Sequence, residues 1–200
     1  LIMKRNIINM ALCCAAICLA SCSLDEAPQA QAAKDAIFNN VSGLETYTLS
    51  FYNSLPRRDN GFKQDNMSDY GSVSTPDLFL RDGAYTAESS SGWSKEDWAP
   101  LRNINYFIAN CTSPQLSAEV KDNYIGLARF FRAYFYYNML TRFGDVPWID
   151  KPLAETDPML YQPRDSRSIV VEKMIADLDF ACTHITRTAD ASGTMITRWI

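Results

Sequence analysis

The chain is short of several things, and each shortage closes a class of function. Histidine occurs once, at His184. A hydrolytic triad would need that imidazole as its base, and it falls near the predicted end of a helix with no partner close in sequence. Zinc ligation needs Cys and His at short repeated spacings, and no such spacing exists, so no metal site or cofactor is expected. Basic runs are missing as well: 19 Lys and Arg stand against 23 Asp and Glu. An acidic chain without a cationic stripe argues against nucleic-acid binding, which rests on neutralising phosphates, and against electrostatic attachment to anionic lipid. The apolar run Ile7 to Leu19 is shorter than the about 20 residues that cross a bilayer as a helix. No stretch shows the convincing alternation of a strand.

The short apolar run has another use. Lys4 and Arg5 precede it, and "IINMALCCAAICL" is free of charge, which is the pattern of a secretory signal. Met3 is the expected start. "LASC", Leu19 to Cys22, resembles a lipobox: a branched apolar residue, two small ones, then a cysteine that accepts lipid and becomes the new N-terminus. The competing reading is an ordinary signal with a chance cysteine. Acyl chains contribute about 0.8 kcal/mol per buried methylene, so a lipidated Cys22 would anchor the chain firmly. "SLDE" follows directly and resembles the surface-export signal of some Gram-negative lipoproteins. Residues 1–21 therefore read as a lipoprotein signal peptide, and 22–33 as a lipidated tether of small polar residues. Cys13, Cys14 and Cys18 leave with the signal. Cys111 and Cys182 remain; both fall on apolar faces of predicted helices, as buried free thiols or, in an oxidising periplasm, as a disulfide.

From Lys34 onward the pattern is helical. Ile37, Val41, Leu44, Thr48, Phe51 and Leu55 recur at three and four, one amphipathic helix ending before Pro56. Arg57 to Gly92 is a long irregular insertion rich in Asp, Ser, Gly and Asn, of a length that tends to be functional. "SKEDWAPLRNINYFIAN" opens with a capping box, Ser94 with Asp97, and places Trp98, Leu101, Ile104, Asn105 and Ile108 on one face. "CTSPQ" breaks it. The next helix runs from Ala118 to Phe143 and stops at Gly144. A further helix opens at Asp165 or Ser166, with Val171, Met174, Leu178, Cys182 and Ile185 as its buried stripe. "SGTMITRWI" begins a fifth element that would have no partner to pack on, so residues 34–200 are expected to be the N-terminal part of a longer domain. The fold class is mainly α, built from antiparallel helix pairs with one long insertion.

Three stretches, in this order, resemble one family. "WAPLRNINYFIAN" is similar to the W-x-x-L-Y-x-x-I-x-x-A-N helix of the SusD/RagB outer-membrane nutrient-binding lipoproteins. "GLARFFRAYFYYNMLTRFGDVPWI" resembles that family's A-x-F-x-R-A-x-x-Y-F-x-L-x-x-x-F-G-x-V-P helix and turn. "PRDSRSIVVEKMIADLDFA" resembles its P-R-x-S-x-x-E-V-Y-x-x-I-x-x-D-L-x-x-A helix. Arg102 replaces a usual tyrosine, Asn105-Tyr106 departs from the common pattern, and Val171 stands where the family often has tyrosine; all three are expected to line packed helix faces. The resemblance implies a tetratricopeptide-like helical superhelix with a long loop insertion, truncated at its C-terminus. It also implies a lipid-anchored protein of the outer membrane, facing the cell exterior, that captures an oligosaccharide, or less often a peptide, and delivers it to a SusC-like TonB-dependent transporter. No chemistry is implied.

A sugar site needs flat aromatics beside planar polar groups, on loops over a rigid scaffold. Only the insertion and its edge fit: Asp77, Phe79, Arg81, Tyr85 and Trp93, with Asn66 and Asp69 behind them. For each, a loop residue folded back onto the scaffold is the competing and more ordinary reading. A glycosidase would need two carboxylates about 5–10 Å apart, and no motif fixes such a pair, so the chain does not read as an enzyme. A helical-repeat lipoprotein binding protein or peptide is the alternative. The aromatic-rich stretch Arg129 to Trp148 reads as scaffold: Leu127, Phe130, Phe131, Ala133, Tyr134, Phe135, Tyr137 and Leu140 cover over half the helix, leaving Arg129, Arg132 and Tyr136 the remaining strip.

Overall fold

A computed structural model describes residues 29–56 and 92–199, with side chains from Lys34 onward. Leu1–Lys34 and Asp35–Ile200 form separate units, and the helical core belongs to the second. The elements are α1 (Gln29–Phe38), α2 (Val41–Leu49), a 3-10 turn at Ser50–Ser54, α3 (Lys95–Asn110), α4 (Ala118–Phe143), a 3-10 turn at Pro158–Tyr161 and α5 (Arg167–His184). Among the described residues the only sheet-like pairing is an isolated antiparallel bridge, Val146 to Asp165.

The helix ends follow local chemistry. The Ser94 hydroxyl accepts from the Asp97 N–H, and the Asp97 carboxylate accepts from the Ser94 N–H at 2.9 Å, so the capping box forms as read. The Ser94 hydroxyl also donates to the Asp97 carboxylate at 2.7 Å, and this bond first, then the one from the Ser94 N–H, holds the Asp97 carboxyl below its usual range. Ser117 caps α4 by accepting from the Val120 N–H. Gly144 ends α4 at φ +75°, which L side chains rarely adopt, and a Cβ there would also meet the Arg167 guanidinium at 3.0 Å.

Pairing of α3 with α4 is antiparallel: Trp98 meets Phe135 and Asn105 meets Arg132. The α4–α5 pair is antiparallel too, since Gly126 meets Ile185, Arg132 meets Asp177, and Gly144 meets Arg167. At Gly126 a Cβ would lie 3.2 Å from Ile185 and 3.5 Å from the Ala181 Cα, so the missing side chain sets the helix separation. One core joins Phe38, Leu44, Phe51, Ile104, Phe107, Cys111, Ala128 and Phe131. A second joins Leu101, Tyr136, Met139, Val146, Trp148 and Val170. Each fully buried large side chain contributes about 1.5–3 kcal/mol.

Five expectations need correction. The single helix expected over 37–55 is two helices and a 3-10 turn. Asn40 breaks it, its side-chain oxygen accepting from the Gly43 N–H at 2.8 Å while its amide donates to the Ala36 carbonyl. That local cap outcompetes helix continuation, and Val41 turns outward at 45% exposure. On α4 the expected apolar face holds at Leu127, Phe131 and Ala133, which are buried, but Tyr136 and Arg132 are buried too, at 0% and 5% exposure, whereas Tyr137 is 55% exposed.

The α5 stripe holds at Met174 and Ile185 and is displaced by one position elsewhere. Val170, Asp177 and Ala181 are buried, while Val171, Leu178 and Cys182 are exposed. The cause is Asp177. Its carboxylate takes a two-pronged pair from Arg132, Nε to Oδ2 and Nη2 to Oδ1, both 2.7 Å, and a buried guanidinium without its partner costs more than an exposed valine or leucine gains. Of the two thiols only Cys111 is buried; both are free. Arg102 and Val171 are exposed rather than packed.

Asp177→Ala should lower stability by about 3–5 kcal/mol in urea denaturation, because it strands the Arg132 charge. Asp179→Ala, on the exposed side of the same helix, should change it by less than about 0.5 kcal/mol. Equal effects would show that the pair does not hold α4 to α5. Burial pushes the Cys111 thiol up to about 11, so iodoacetamide with peptide mapping should label Cys182 in the native protein and Cys111 only after denaturation. Native labelling of Cys111 would contradict its placement in the core.

Candidate functional site

The buried Arg132 is the base on which the surface is built. Beyond Asp177, its Nη1 donates to the Asn105 side-chain oxygen at 3.1 Å and to the Asp150 carbonyl at 3.2 Å. The Asn105 amide in turn donates to the Ile149 carbonyl at 2.9 Å. The Tyr136 hydroxyl accepts from the Ile149 N–H at 2.7 Å, and its ring stacks on Trp148 with centroids 4.3 Å apart. Burial raises the Tyr136 hydroxyl far above its usual range, so it stays a neutral donor and acceptor. The segment leaving α4 is thus bound to the middle of α3 by side chains of α3 and α4. Asp165 secures it from the other side by accepting from the Trp148 N–H at 2.7 Å.

This arrangement leaves a groove of about 430 Å³ between the N-terminal half of α3 and residues 149–160. Asn105 and Ile149 form part of its lining, with Trp98 and Leu101 on the α3 side and Leu153 and Leu160 opposite. Lys95, Arg102, Lys151 and Glu155 supply its charges. Lys151 pairs with Asp157 at 3.3 Å. A second hollow of about 340 Å³ lies between α2, α4 and the segment after α5, with Tyr52, Asn123 and Arg187 among its lining residues. Its polar groups are largely engaged: Asn123 accepts from the Thr186 N–H, and the Tyr52 hydroxyl from the Ile196 N–H.

Trp93 is the one ligand candidate within the described residues. Its ring meets Trp98 at 5.1 Å and Phe143 at 5.0 Å, both edge-on, and the Arg164 guanidinium lies 4.8 Å from its centroid. It keeps 39% exposure. Through Trp98 this aromatic group adjoins the groove, although Trp93 itself does not line it. Asp77, Phe79, Arg81, Tyr85, Asn66, Asp69 and Cys22 lie outside the described residues. The groove residues Lys95, Trp98, Arg102 and Lys151 escaped sequence reasoning. Lys95, Trp98 and Arg102 do share one α3 face at spacings of three and four, but Trp98 reads equally well as core.

His184 closes α5 with its ring stacked on Phe180 at 3.9 Å and its Nδ1 2.9 Å from the Phe180 carbonyl. Among the described residues no cluster of His, Cys, Asp and Glu could hold a metal ion. None of the described helices is long and apolar enough to cross a membrane.

No curated protein matches the chain. Solved structures that share the fold include two from Bacteroides fragilis. One, a SusD-like protein, superposes with a TM-score of 0.60 at 19% identity, over 84% of this chain and 34% of its own. The other, a SusD-like carbohydrate-binding protein, gives 0.63 at 17% identity, over 81% of this chain and 35% of its own. The chain thus spans about a third of the length of these structures. The SusD-like_2 family, described as starch-binding and associating with the outer membrane, matches residues 31–197. With that match covering most of its length, and with its helices superposing on those two structures, the chain belongs to the SusD-like family.

Proposed function

We propose that this chain is part of a cell-surface lipoprotein that binds an oligosaccharide and delivers it to a SusC-like TonB-dependent transporter of the outer membrane. The match of residues 31–197 to a family described as starch-binding and associating with the outer membrane carries this reading. One of the two structural neighbours is described as carbohydrate-binding, which agrees with it. The lipobox supplies the anchor: Cys22 takes the lipid, residues 1–21 are removed, and 22–33 tether the helical domain. The sugar-contacting surface comprises Trp93 with Asp77, Phe79, Arg81 and Tyr85 of the insertion.

The role is binding, with no bond made or broken. Helices braced by buried pairs make a stiff platform, and stiffness lowers the ordering cost of capture. Transfer to a transporter then needs only a second surface on the same body.

Labelling with radioactive palmitate should mark the wild-type protein and leave Cys22→Ala unmarked; equal labelling would remove the anchor. Affinity electrophoresis against a glycan panel should show retardation by at least one polysaccharide. Retardation by none, with a peptide bound instead, would replace the sugar reading by a peptide-binding one. A large β-barrel protein should co-purify from solubilised outer membrane.

A further inference from the structure

The α3 groove is lined by more cations than carboxylates. The protein is acidic, with a formal net charge of −4, yet this groove gathers Lys95, Arg102 and Lys151 against Glu155. Lys151 is engaged by Asp157. Lys95 and Arg102 make no ion pair among the described residues, and both are exposed. Their spacing of seven stands them two turns apart on one face of α3, with Trp98 between them.

Trp98 offers this groove an apolar ring beside those cations. The lining beneath is rigid: Asn105 is locked by Arg132 and by the Ile149 carbonyl. Neither its amide nor its oxygen is idle, so specificity has to come from the rim. A guanidinium pairs with a carboxylate through two parallel N–H bonds, and an indole packs against the C–H face of a pyranose ring. The two together match a sugar that bears a carboxylate.

We propose that this groove binds a uronic-acid residue of an anionic oligosaccharide, with Arg102 holding the carboxylate, Lys95 adding positive charge and Trp98 packing on the ring. This rests on the glycan-binding reading and narrows it to acidic glycans at one site. The partly apolar lining accommodates the sugar's C–H faces, and Glu155 on the opposite wall sets the orientation by repelling the carboxylate toward α3.

The test is isothermal titration of the full chain with an oligogalacturonate, its fully methyl-esterified form, a sulfated glycan, a neutral glucan and an acidic peptide. Oligogalacturonate should bind, with the ester about tenfold weaker or more, as expected for losing a bidentate charge-assisted contact. Arg102→Ala should reproduce that loss and Arg102→Lys should recover part of it. Arg102 is exposed, and an unchanged thermal melt would confirm that its variants fold. Equal affinity for acid and ester, no effect of Arg102→Ala on the acid, or binding of the neutral glucan alone would overturn the inference and leave the glycan-binding reading standing. Equally tight, Arg102-dependent binding of the sulfated glycan or of the acidic peptide would overturn the uronate assignment. No binding of any glycan would overturn both.

Discussion

Everything in the described fold is arranged around one guanidinium. Arg132 lies almost wholly out of water, where its charge would be untenable alone. Asp177 neutralises it through two short bonds, and the neutral acceptors Asn105 and the Asp150 carbonyl take up its remaining arm. One side chain therefore touches α3, α5 and the segment leaving α4. Each contact is directional, so together they fix the register of α5 against α4 and the height of α3 above both. Such a pair adds little net stability compared with a well-packed apolar core, but it is unforgiving of the wrong register.

The aromatics fill space around that polar centre. Phe107, Phe131 and Phe51 interlock on one side. On the other side Tyr136 and Trp148 stack, and the Arg132 guanidinium lies 5.4 Å from the Trp148 ring. Tyr136 belongs to both worlds. Its ring closes the second core while its hydroxyl holds the Ile149 backbone. The groove follows as a consequence. Because Asn105 and Tyr136 pin the backbone at Ile149, the space between α3 and the residues that follow is a feature of the braced scaffold.

What could be read ahead of the structure was local. Ser94 with Asp97, and Gly144, announce helix ends through bonds that span four residues or fewer, and these ends fall where they were placed. Helix faces were less legible. On α5, hydrophobic periodicity favoured Val171, Leu178 and Cys182, and the register that won is displaced by one to bury Asp177. On α4, Arg132 and Tyr136 fell outside the apolar face, and nothing in the periodicity showed that they are buried with it. Asn40 hid a helix break inside a continuous apolar repeat. Of the candidate site, Trp93 was legible as an aromatic at the edge of a polar insertion. The groove was not, because Lys95, Trp98 and Arg102 meet Lys151 and Leu160 across about fifty residues of chain.

The sequence alone settled the helical class, the ends of α3 and α4, the start of α5 and the family resemblance, since caps, breakers and motif spacing act between near neighbours along the chain. The tertiary structure decided which faces are inside, which thiol is buried and where a ligand could sit. The physical reason is the same in each case. A charge buried with its partner outweighs several exposed apolar side chains, and the partner, Asp177 for Arg132, lies forty-five residues away, where no periodicity in either helix can reveal it.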